Sequence, residues 1–288
     1  MPQAPFHKPD SLDEALTLLD GAQGAHCLSG GATLVAMINA ELVTPDAIVS
    51  LRDIEALRGA ERLGDGSIRI GAMRRHRETA FETDLRDGQA VVSSAASQIA
   101  NPPVRNMGTI GGSIAFADPA ADYPPALVAA DAVVELSSVR GVREVAAADY
   151  FVGWYETALQ DGELIAAVRI PAAPMGSIGI YHKLARISGD FATVSVALVL
   201  GMEKDACAHI SIAIGACGPT PVRLSEIEQT LIGGNLEESA VRAAASRYVE
   251  ALDPVDDVRA SADYRRAVAP RMISHAIATA RDAQLRSA

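Results

Sequence analysis

Two short stretches set a glycine pair among hydroxyl residues: Ser29-Gly30-Gly31-Ala32-Thr33 and Thr109-Ile110-Gly111-Gly112-Ser113. Glycine lets a main chain approach a ligand closely and turn successive amides toward it. Amides at a helix N-terminus, helped by the helix dipole, suit a phosphate. Serine and threonine hydroxyls add donors. Two such loops can hold the two phosphates of a dinucleotide without any lysine or arginine. Neither loop is G-x-G-x-x-G, and neither carries the Gly-Lys-Ser/Thr of a P-loop. Taken alone, each reads more readily as a tight turn. The second opens the sixteen-residue stretch TIGGSIAFADPAADYP, from Thr109 to Pro124. Its small side chains offer little to pack. It reads as irregular backbone that must lie close against something.

The surrounding elements have to position these loops. Ser11 begins a capped helix, with Glu14 at capping-box spacing and Leu12, Ala15, Leu16 and Leu19 on one face; Gly21 ends it. A short strand in AHCLSGG runs into the first glycine pair, and ATLVAMINAEL continues as a helix with Leu34, Ile38 and Leu42 in phase. DAIVSLRDI closes a strand–Gly-Gly–helix–strand unit. Next come a strand in SIRIGAM and a helix of small residues in QAVVSSAASQIA, stopped by Asn101, Pro102 and Pro103. Beyond the glycine-rich stretch lie strands in AVVELSS and in ELIAAVRIP, the latter closed by Pro171. The character changes near PAAPMGS. Three strands follow, in IGIYHKLAR, FATVSVALVLGM and AHISIAIGAC, separated by turns as in an antiparallel sheet. In the second, Ala192, Val194, Val196 and Leu198 alternate with Thr193, Ser195 and Ala197, the period of a sheet with one better-buried face. Three helices complete the chain, and Pro270 should kink or split the last. The expected division is 1–57, 58–176 and 177–288. The last part combines a three-stranded antiparallel sheet with a helical bundle.

The chain has 288 residues, 49% of them hydrophobic, with 25 basic against 36 acidic side chains and a net charge of −11. Such an acidic chain is a poor partner for nucleic acid or an anionic membrane. Cys27, Cys207 and Cys217 are an odd number without C-x-x-C spacing, which argues against a disulfide framework, a zinc site or an iron–sulfur cluster. The N-terminal MPQAPFHKPD has no apolar stretch for a signal peptide, and the longest apolar run is too short to span a bilayer. A soluble, cytoplasmic protein with no membrane span is expected. His76, His182 and His209 read as surface or hydrogen-bonded core histidines, and Asp118 before Pro119 as a turn start. No residue stands out as a general base, and no metal ligands are expected.

The segments SGGATLVAMINAEL, TIGGSIAFADPAADYP and YHKLARISGDFATVSVA, in this order, resemble the FAD-binding medium subunit of the molybdenum hydroxylases. That group holds carbon monoxide dehydrogenase and xanthine dehydrogenase. The likeness extends through DGELIAAVRIP, GPTPVRL and SADYRRAVA, nearly the whole chain. It implies an α+β, vanillyl-alcohol-oxidase-like (PCMH-type) fold, in which two lobes, 1–57 and 58–176, clasp FAD and a C-terminal domain adds an antiparallel sheet with helices. It implies that Ser29–Thr33 and Thr109–Ser113 hold the pyrophosphate and that Asp122 anchors cofactor hydroxyls on the ribose. It places Ile99 and Leu159 around the adenine, Lys183 near the flavin and Phe191 beside the isoalloxazine. Three positions depart from the pattern: Ser29 for the usual Ala, Ser113 for the common Asn, and Phe191 where carbon monoxide dehydrogenases carry Tyr. The resemblance implies an electron-transfer subunit in a heterotrimer, itself open to dimerisation. A large subunit carries the molybdenum cofactor and a small one carries two [2Fe–2S] clusters; electrons reach FAD here and leave for an external acceptor. Two other readings stay open: a self-contained flavin oxidase acting on a small molecule, and a FAD-binding assembly component.

Overall fold

The computed structural model describes residues 4–287. The first part is a small parallel sheet of β1 (Phe6–His7), β2 (Ala25–Leu28) and β3 (Ala47–Ser50), in the order β1-β3-β2, with α1 (Leu12–Gly21) and α2 (Leu34–Asn39) as crossovers. Parallel pairing follows from those helical connections. Ser11 caps α1, its Oγ accepting from the Glu14 amide at 3.3 Å. The Glu14 carboxylate reaches past Ser11 to the Asp10 amide at 3.2 Å, so only half of the expected capping box forms. Ala15 and Leu16 bury against Val49, Leu51, Ile54 and Leu57, with Leu164 and Ala166 from the next part. The helix after the first glycine pair is shorter than its periodicity predicts. Glu41 turns to φ +58° and ends it, none of its residues is buried, and Leu42 is 73% exposed. The Leu34–Ile38–Leu42 stripe has no core behind it.

The second part begins with β4 (Ala60–Arg62) and β5 (Ile68–Gly71) and passes through five short helices: α3 (His76–Ala80), α4 (Ala90–Gln98), α5 (Pro102–Met107), α6 (Ile110–Phe116) and α7 (Tyr123–Ala129). It then forms β6 (Val133–Ser138), β7 (Gly141–Ala146), α8 (Ala147–Tyr150), the hairpin β8 (Phe151–Gly153) and β9 (Glu156–Thr157), and β10 (Leu164–Ile170). Five of these strands make an antiparallel sheet ordered β4-β5-β10-β6-β7.

The fold departs from the sequence expectation at two places in this part. Asn101, Pro102 and Pro103 start a helix as well as ending one: the Asn101 side chain accepts from the Val104 amide at 3.1 Å, and both prolines sit in the first turn of α5, where a missing N–H costs nothing. Thr109–Pro124 is also more regular than its composition suggests. Thr109 Oγ1 accepts from the Gly112 amide at 3.1 Å and caps α6, and the Asp118–Asp122 turn leads into α7.

The third part is an antiparallel sheet of β11 (Ile178–Leu184), β12 (Val194–Glu203), β13 (Ala206–Gly215) and β14 (Val222–Arg223), so a two-residue fourth strand joins the three expected. Helices α9 (Ser225–Leu231), α10 (Glu238–Glu250) and α11 (Ala262–Ser287) cover one face. The alternation in β12 predicts one better-buried face; both of its faces are buried. Val194, Val196, Leu198 and Leu200 meet Ile227, Tyr248 and Ile273, while Ala197 and Val199 join the main core of the second part with Val91, Ala95 and Leu127. α11 continues through Pro270 without the split that proline could impose. Among the described residues, no helix is long and apolar enough to cross a membrane, and no three His, Cys, Asp or Glu side chains are grouped to hold a metal.

Candidate cofactor-binding site

The two glycine loops touch. A Cβ added at Gly30 would lie 2.2 Å from the Met107 carbonyl oxygen and 2.8 Å from Gly108 Cα; one added at Gly112 would lie 2.6 Å from Ser29 Oγ. Gly31 holds φ +78°, the left-handed region that favours glycine. Much of the glycine requirement is therefore loop against loop. Gly111 serves a third contact: its amide donates to the Ala72 carbonyl at 2.9 Å, and an added Cβ would meet Ala72 Cβ at 2.6 Å.

The loops differ in what they offer a ligand. In the first, no acceptor among the described residues takes the amides of Gly30, Gly31, Ala32 and Thr33. In the second, the amides of Ile110, Gly111, Gly112 and Ser113 go to Arg74 O, Ala72 O, Thr109 Oγ1 and Thr109 O. The second loop thus presents a bare backbone surface and the Ser113 hydroxyl. α2 has six residues and α6 seven, so free amides matter more here than a long helix dipole.

Both loops line one cavity of about 1100 Å³. The expected residues Ser29, Gly30, Gly31, Ala32, Thr33, Ile99, Thr109, Gly111, Gly112, Ser113, Asp122, Leu159 and Phe191 are all on its wall. Ile110 is not; it is fully buried in the main core. Lys183 stands behind the wall. Its Nζ lies 2.9 Å from Asp122 Oδ1 and donates to the Gln98 carbonyl at 2.7 Å. Tyr181 also donates its hydroxyl to Asp122 Oδ1, at 2.6 Å. Burial pushes the Asp122 carboxyl above its usual range against the pull of Lys183 and Tyr181. Both of these donors use Oδ1.

Several wall residues escaped the sequence reading. His76 is buried, with Nδ1 3.3 Å from the Tyr123 hydroxyl; burial and Arg105 lower its pKa to about 4, so the ring is neutral near pH 7. Asp118 Oδ1 accepts from the Ala120 amide at 2.8 Å, the turn its sequence suggests, and Oδ2 accepts from the Tyr155 hydroxyl at 3.4 Å. Arg140 and Gln160–Ile165 close another side. Part of that segment lies in the DGELIAAVRIP stretch that carries the family likeness. Phe191 stands 44% exposed at the rim, with the Arg259 guanidinium 5.1 Å from its ring centre.

A dinucleotide fits these residues. The cavity slightly exceeds the usual 300–1,000 Å³ of small-molecule sites. It joins a cluster of unpaired backbone donors to the apolar Ile99 and Leu159 and to a buried carboxylate. Residues 2–173 match the FAD binding domain in molybdopterin dehydrogenase, and residues 179–280 match the CO dehydrogenase flavoprotein C-terminal domain. The alpha subunit of the 6-hydroxypseudooxynicotine dehydrogenase complex of Paenarthrobacter nicotinovorans is 35% identical, over 94% of this chain and 92% of that one. The carbon monoxide dehydrogenase medium chain of Hydrogenophaga pseudoflava is 34% identical over 96% of each. The structure of the cyanide-inactivated Cu,Mo-CO dehydrogenase superposes with a TM-score of 0.93 at 36% identity, covering 97% of this chain and 98% of that one. With both parts of the chain matched and its fold shared over 97% of its length, the protein belongs to the FAD-binding flavoprotein subunits of the molybdenum hydroxylases.

Proposed function

We propose that this chain seats FAD in the cavity between its glycine loops and serves as the electron-transfer subunit of a molybdenum hydroxylase. The observation that carries the reading is the packing of two distant glycine loops, backbone on backbone, in the wall of one large cavity. In this reading the free amides of Gly30–Thr33 bind the diphosphate, while Gly112 and Ser113 let it lie close and add a hydroxyl. Asp122, oriented by Lys183 and Tyr181, keeps Oδ2 for a cofactor hydroxyl. Ile99 and Leu159 flank the adenine, and Phe191 covers the isoalloxazine. Bound FAD supplies the redox chemistry; the protein holds, orients and shields it. No general base is required of the chain. Of the two histidines on the wall, His76 is neutral and engaged with Tyr123, and His26 Nδ1 lies 3.1 Å from the Gly24 carbonyl.

The partners in this proposal are a large molybdenum-cofactor subunit and a small subunit carrying two [2Fe–2S] clusters. Electrons come from those clusters and leave for an external acceptor. The names of the relatives, a medium chain and a complex subunit, support that assembly. The three cysteines, none of them paired, support placing the clusters elsewhere and the protein in the cytoplasm. We assign 1–57 and 58–176 to the two FAD lobes and 177–288 to the C-terminal domain. The test is to purify the native assembly and measure its metals and flavin. Co-purifying chains with molybdenum, iron and FAD are expected. A chain that runs alone and oxidises an organic substrate, or that releases FMN or no flavin, overturns the proposal.

A further inference from the structure

Between α10 and α11 the chain passes the cavity rim without regular structure, yet it is tied down closely. Asp257 is the knot. Its Oδ1 accepts from the amides of Arg259 and Ala260, at 2.8 and 3.1 Å, and from Arg265 Nη2 at 2.5 Å; Oδ2 accepts from Arg259 Nη1 at 3.0 Å. Arg265 is itself buried on α11, and its Nη1 donates to the carbonyls of Thr193 and Ala216, both at 2.7 Å. These bonds run from the rigid start of α11 through Asp257 to the Arg259 guanidinium, which lies over Phe191.

Phe191 needs such a partner. Its backbone is fixed: the Phe191 amide donates to Asp190 Oδ1 at 2.8 Å, and the next amide, of Ala192, donates to the Ala120 carbonyl at 3.3 Å. Its ring is 44% exposed and belongs to no core cluster. A half-buried arginine at a rim, left untied, would sample several rotamers. The bond from Nη1 to Asp257 Oδ2 removes much of that freedom in advance, so stacking on the ring costs little more.

We infer that Arg259 is a positioning residue, which holds the Phe191 ring across the rim of the cavity and so sets how closely that ring packs on bound flavin. The inference rests on the reading of Phe191 as cofactor-facing.

The test uses the FAD-loaded native assembly with Arg259→Met, Phe191→Ala and the double variant. It reads FAD affinity, the visible spectrum of the flavin and its midpoint potential. Arg259→Met should weaken FAD binding about two- to fivefold, the scale of one exposed cation–π contact. It should shift the spectrum in the same direction as Phe191→Ala. The double variant should be no worse than Phe191→Ala alone, the signature of two residues acting through one contact. Arg259→Lys keeps a cation but loses the planar guanidinium over the ring; it should give the same change at smaller amplitude, and it serves in place of Arg259→Met if that variant fails to assemble. Two outcomes overturn the inference alone: Arg259 variants that match the native protein while Phe191→Ala does not, or an Arg259 effect of full size in the Phe191→Ala background, which would mean that Arg259 acts by its charge. A silent Phe191→Ala overturns the placement of Phe191 on the flavin, and the inference with it.

Discussion

At the scale of single residues, the glycines of the two loops do different work. Gly30→Ala drives a Cβ onto the Met107 carbonyl and should lower FAD affinity at least tenfold, measured by flavin retention on dilution. Gly31→Ala meets only side chains, at 3.3 Å and beyond. Its penalty is the strained φ, about 1–2 kcal/mol, so it should keep more flavin than Gly30→Ala. His76 makes a pH prediction. Its folded pKa, about 4, lies below the ordinary 6.5. Between those values the unfolded chain binds the proton and the folded chain does not. Stability is therefore fully present above pH 6.5 and lost as pH falls toward 4, by about 3 kcal/mol in all. Denaturation midpoints at pH 7 and 4.5 should show this loss, and His76→Gln should flatten it. The glycines, Asp122 and Phe191 were legible because they lie in short contiguous motifs. His76 and Arg259 were not, because each meets its partner, Tyr123 or Phe191, only after the chain has folded.

At the scale of elements, caps and breakers proved more informative than stripes. Ser11 and Pro171 bound their elements as the sequence suggests. The Leu34–Ile38–Leu42 stripe misled, since a helical period reports a buried face only where a core exists to receive it. The proline pair was read as a stop because a breaker seen in isolation hides the Asn cap that turns it into a start. That cap has consequences for the site. Asn101→Ala should cost about 1 kcal/mol and loosen α5, whose end supports Gly30. FAD binding should weaken although Asn101 is not on the cavity wall, which titration of the apoprotein with FAD would reveal. Lys183→Met is a harsher change. It leaves Asp122 buried without its cation and should destabilise the protein by about 3–5 kcal/mol, read as a lower denaturant midpoint.

At the scale of the whole molecule, β12 is a wall shared by two cores, with one apolar row facing each. Alternation in the sequence revealed the strand but not this double duty, because alanine, serine and threonine on the second row read as the less buried face. Gly88 and Gly179 tighten the same junction: a Cβ at Gly88 would meet Val199 at 2.4 Å, and one at Gly179 would meet the Gly88 carbonyl at 2.4 Å. A fragment ending at residue 176 should therefore expose the outer faces of α4 and α7 and aggregate or bind a hydrophobic dye, whereas a self-sufficient pair of lobes would stay monomeric and dye-free. The contact between the glycine loops also sets an order of events in time. In the proposed reading each lobe alone carries half a seat, and the half with free amides is shaped by Met107 and Gly108 of the other. A nascent chain that has made only its first sixty residues or so holds the amides but not the surface that shapes them. On that reading, loading of the cofactor belongs after the docking of the lobes, and a chain stalled before α6 is made should have nowhere to keep it.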